Sequence, residues 1–161
     1  MQISDNLIVF NSKHWVVNHR KDSKLSGYLI MQPICSSANC NSLSIEALKE
    51  MGSIIARTEG IIKKICNPQY LYISKYGHTP DTPFHFHFIP VYQWVIDLFW
   101  SDERYRELSK FGDPSLSHLT DGAELTFFIW REFCEKELPP KIQGISAQEM
   151  IKKIKAEFLS I

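Results

Sequence analysis

A chain of 161 residues is long enough to bury a sizeable core and short enough to be a single domain. Hydrophobic residues at 44% and aromatics at 12% argue against disorder. Lys+Arg and Asp+Glu stand at 18 each, which leaves no electrostatic footprint for nucleic acid or an anionic membrane, and no apolar run reaches transmembrane length.

Leu7–Phe10 and His14–Val17 are short β-rich runs that read as a hairpin, followed by a polar loop from Asn18 to Gly27. Tyr28–Met31 is a third strand, closed by Pro33. The period then changes. Ser44 caps a helix whose apolar positions are Leu48, Met51, Ile55, Ile62 and Ile65, and Asn67-Pro68 stops it. Leu71–Ser74 is a fourth strand, and residues 77–83 form a loop. A fifth strand runs to about Tyr92. Beyond it, helical spacing returns from Trp94 to roughly Leu108, 113–119 is a loop, and Asp121-x-x-Glu124 and Ser146-x-x-Glu149 are capping boxes. Met150, Ile151, Ile154 and Phe158 form the last apolar stripe. The load of Phe127, Phe128, Trp130 and Phe133 exceeds what one stripe needs and reads as core. The expected class is α+β: a mostly antiparallel sheet of about five strands under a long helix, core about 5–92, with a helical extension over about 93–161 serving as a subdomain or as packing for a dimer.

The cysteines stand at 35, 40, 66 and 134. The first residues are polar rather than signal-like, so a cytoplasmic setting with reduced thiols is expected. Cys35-x4-Cys40 is half a zinc site without its second half, and no metal or cofactor is assigned.

The fifth strand carries the chemistry. In Pro83-Phe84-His85-Phe86-His87-Phe88-Ile89-Pro90, alternation puts the phenylalanines on one face and His85 and His87 together on the other. The alternative is a polar pair on a solvated face. A His-x-His metal site would need a third ligand, for which His78 is the nearby candidate.

His85-Phe-His87-Phe-Ile89-Pro90 resembles the end of the histidine triad (HIT) motif, and the order of elements up to residue 92 is similar to a HIT domain. Two positions depart from the pattern: the first histidine falls at Pro83, and the arginine after the proline is Val91. The resemblance implies a nucleotide hydrolase or nucleotidyl transferase, with diadenosine polyphosphates among the substrates and dimerisation expected. It makes His85 the nucleophile, forming a nucleotidyl-histidine at the α-phosphate, and His87 the donor to a phosphate oxygen. It further implies Asn18 at the ribose, with a strand-ending turn residue as the alternative, and Lys75 at a phosphate. Thr79 and Thr82 would supply hydroxyl or amide donors near the leaving group. Arg20 is a further phosphate candidate with no motif behind it. The competing reading is a non-catalytic nucleotide-binding or interaction module.

Overall fold

The computed structural model describes residues 3–35, 37, 39–79, 81–106 and 122–160. Five antiparallel strands, β1 (Ile8–Asn11), β2 (Trp15–His19), β3 (Leu29–Pro33), β4 (Tyr70–Tyr76) and β5 (His85–Val91), lie in the order β1-β2-β3-β5-β4. The helices are α1 (Ile45–Cys66), α2 (Gln93–Ser101), the single turn α3 (Glu103–Arg106), α4 (Ala123–Trp130) and α5 (Ala147–Leu159). The α+β expectation stands, with five strands and one long helix.

Local signals explain most boundaries. The Ser44 hydroxyl accepts from the Ala47 amide at the start of α1. Asn67 ends the helix in the left-handed conformation, φ 45°. Its most buried face runs through Ala47, Ile54, Thr58, Ile61 and Ile62, while the expected Leu48, Met51, Ile55 and Ile65 flank it. The capping box at Ser146 and Glu149 forms as read, and Met150, Ile151, Ile154 and Phe158 are all buried. The helix expected from Trp94 to Leu108 breaks at Asp102, whose amide bonds to the Phe99 carbonyl. The 113–119 loop and Asp121 lie outside the described residues, and α4 takes Gly122 as its cap.

The sheet is covered on both sides. Against one face, α1 and α5 pack on Trp15, Val17, Leu29, Met31, Phe84 and Phe88. The indole of Trp15 donates to the Ala47 carbonyl at 2.9 Å, tying β2 to the start of α1. On the other face, Ile30, Ile89 and Val91 meet α2 and α4 through Val95, Phe99, Leu125, Phe128 and Ile129. The residues after 92 are therefore divided between the two faces. Gly27, at φ 81°, precedes β3 where a Cβ would lie 2.7 Å from the Cys66 sulfur, so this close approach of helix and strand requires glycine.

Candidate active site

Strand parity separates the residues of β5 as expected. Phe84 and Phe88 sink into the core under α1, whereas His85 and His87 turn to the α4 side, their ring centroids 4.7 Å apart. The solvated-pair alternative fails for His87, which is 4% exposed. His85 is half-buried at the end of the strand.

The two rings are held differently. His85 Nδ1 lies 2.9 Å from the Pro83 carbonyl oxygen. A carbonyl only accepts, so Nδ1 carries the proton and the lone pair sits on Nε2. Gly77 makes room for this: at φ +83°, a Cβ on it would fall 2.2 Å from that oxygen. His87 Nδ1 lies 2.7 Å from the Tyr28 hydroxyl, and its Nε2 is buried without a hydrogen-bond partner among the described residues. Tyr76 and Trp130 close over it, with ring centroids 4.9 and 5.6 Å away. Burial, with His85 and Arg20 adding to it, pushes His87 down to about 3.

Arg20 lies beside the pair. Its guanidinium donates to both carboxylate oxygens of Asp22 at 2.7 and 3.0 Å and to the Tyr28 hydroxyl at 2.9 Å. It also stacks over the Tyr28 and Trp130 rings, 5.2 and 5.4 Å from their centroids.

The register settles where the remaining candidates lie. Asn18 pairs with Ile30, and Ile30 and Ser74 both pair with His87, so these four share one row and one face. Asn18 thus belongs to β2 and not to the loop where the sequence reading put it. It is 7% exposed; its amide donates to the His19 carbonyl, and its Oδ1 has no partner among the described residues. At about 4.8 Å per strand spacing it stands roughly 10 Å from His87. Lys75 is not brought to the site. It pairs with Phe86, and its ammonium lies 5.2 Å from the Phe84 ring centroid on the opposite face; Ser74 holds the place facing His87. Thr79 and Thr82 form a tight turn in which each amide donates to the other's carbonyl, and the Thr82 amide also reaches Thr79 Oγ1. Those amides are therefore spent within the turn, which leaves the hydroxyls. His78 is exposed, and among the described residues no group of three His, Cys, Asp or Glu side chains is arranged for a metal ion.

Tyr28, Tyr76 and Trp130 were not singled out from sequence as site residues. Parity places Tyr76 opposite His85 once β4 and β5 pair, and Trp130 belonged to the surplus of aromatics on α4. A cleft of about 740 Å³ lies elsewhere, lined by His19, Lys21, Lys24, Ser146 and Lys152, and shares no residue with the histidine pair.

No protein-family model and no curated protein matches this sequence. Solved structures do. The chain superposes on a HIT-like protein of Bartonella henselae with TM-score 0.53 at 15% identity, over 94% of this chain and 85% of that one. A histidine triad nucleotide-binding protein of Sulfolobus tokodaii gives TM-score 0.55 at 15% identity, over 96% and 84%. A uridylyltransferase gives TM-score 0.62 at 14% identity, covering 98% of this chain and 42% of the other. The fold is that of the histidine triad proteins.

Proposed function

We propose that this chain hydrolyses or transfers at a nucleotide α-phosphate with His85 as nucleophile. The observation that carries the reading is the His85 Nδ1–H held on the Pro83 carbonyl, on a ring that is only half-buried. Nε2 attacks phosphorus, the bond from phosphorus to the leaving oxygen breaks with its electron pair, and a nucleotidyl-histidine forms. Water or another hydroxyl then displaces the ring and releases its own proton to solvent. His87 donates to a non-bridging oxygen, the Asn18 Oδ1 accepts from a ribose hydroxyl, and Thr79 and Thr82 offer hydroxyls in the turn leading to His85. Diadenosine polyphosphates are the substrate class to try first, and a cytoplasmic setting suits them. A second copy would pair along β4, an edge strand that exposes Tyr70, Ile73 and Tyr76.

One observation favours a second reading, a nucleotide-binding module without turnover: His87 lies closed under Tyr76 and Trp130. Incubation with a dinucleotide labelled at the α-phosphate, followed by an alkaline quench, separates the two. Label is expected on the protein and lost in His85→Ala, with nucleotide binding kept within about tenfold because only covalent chemistry is removed. Unlabelled protein that still binds nucleotide supports the second reading, and turnover at the normal rate in His85→Ala overturns the first.

A further inference from the structure

The Tyr28 hydroxyl sits among three nitrogens: Arg20 Nη1 at 2.9 Å, Trp130 Nε1 at 2.5 Å and His87 Nδ1 at 2.7 Å. A guanidinium and an indole N–H only donate, so both must donate to the phenol oxygen. That oxygen has one hydrogen of its own, and the position left for it is toward His87. His87 Nδ1 is then an acceptor, and a neutral imidazole with an accepting Nδ1 carries its proton on Nε2. We propose that Arg20 and Trp130, acting through Tyr28, lock His87 in the Nε2–H tautomer, the form in which Nε2 can donate to an anionic oxygen of a ligand.

Three further features agree. A proton on Nδ1 would set a third donor against an oxygen already receiving two. Burial pushes the Tyr28 phenol up, so its hydrogen is kept to donate. Arg20 is itself fixed by Asp22, so the first link of the chain is not a loose side chain. The lock leaves Nε2–H buried and without a hydrogen-bond partner among the described residues, a cost that an incoming acceptor would relieve. Tyr28, Arg20 and Trp130 are positioning residues: they act through His87. The role of the donor rests on the nucleotide reading above, whereas the tautomer does not.

The test is therefore made without nucleotide. The full chain is labelled with 15N-histidine, and His87 is assigned by the signal lost in His87→Gln. Long-range proton–nitrogen correlations at neutral pH are expected to show a single Nε2–H form with Nδ1 accepting. Tyr28→Phe removes the donor to Nδ1 and is expected to move the tautomer ratio by roughly tenfold, the equivalent of one lost hydrogen bond. Trp130→Phe keeps a ring but frees the phenol to turn, and it shifts the ratio the same way by less. An Nδ1–H form in the unmodified protein, or a ratio unmoved in both variants, overturns the proposal. If Tyr28→Phe does not fold, the unmodified protein and Trp130→Phe decide it.

Discussion

Two imidazoles two residues apart on the same face receive opposite treatment: His85 stays half-buried, and His87 is sealed in aromatics. The seal has a thermodynamic signature. With His87 pushed down to about 3 from an ordinary 6.5, the unfolded chain binds a proton there between those pH values that the folded chain does not. Stability contributed by the neutral ring is complete above about pH 6.5 and is lost as the pH falls toward 3. Urea unfolding at acid and neutral pH should show this loss, on the order of a few kcal/mol, and His87→Gln should flatten it. Gly77 supports the other ring. Gly77→Ala must displace the Pro83 oxygen, so it is expected to cost about 1–3 kcal/mol of stability and to slow labelling at His85. Gly52→Ala and Gly60→Ala, where a Cβ meets nothing within 4 Å, are the controls and should be neutral or stabilising.

At the scale of elements, periodicity carried most of the fold. The alternation in β5 set the face of every residue in it, Ser44 marked the start of α1, and the Ser146–Glu149 box marked that of α5. What escaped depended on pairing between distant strands. The face of Lys75 follows from its register with Phe86, and Asn18 belongs to a strand because β2 pairs with β3 through His19. The polar composition after Val17 suggested a loop, and Asn18 is a poor strand former; its pairing with Ile8 on one side and Ile30 on the other, and that of His19 with Leu29, outweigh that preference. The aromatic wall over His87 was illegible for the same reason, since Trp130 is 43 residues from His87 in the chain and meets it only when α4 folds back. The return of α5 to the α1 face can be measured. Ile154 is fully buried there, and Phe158 stacks on Phe10 with centroids 4.8 Å apart. Ile154→Ala is expected to cost about 2–5 kcal/mol in chemical denaturation, as a cavity in a packed core does.

The molecule as a whole is a sheet clad on both sides, and residues after 92 supply cladding to each. A chain cut after Tyr92 keeps all five strands and α1 but loses the partners of Ile30, Ile89 and Val91 on one face and those of Val9 and Phe10 on the other. Such a piece should fail to give a dispersed amide spectrum and should self-associate. A dispersed, monomeric spectrum would mean that the sheet and α1 suffice alone. The helical extension expected from sequence thus supplies an integral part of both cores, and α4 also supplies the ring that covers His87.

Pro83 has one more consequence. What steadies His85 is a peptide oxygen, and every amino acid brings one. The letter at 83 can therefore change without unseating the ring, provided the main chain keeps its course past Gly77. A substitution at 83 that keeps the main-chain path is therefore expected to leave the His85 Nδ1 contact in place.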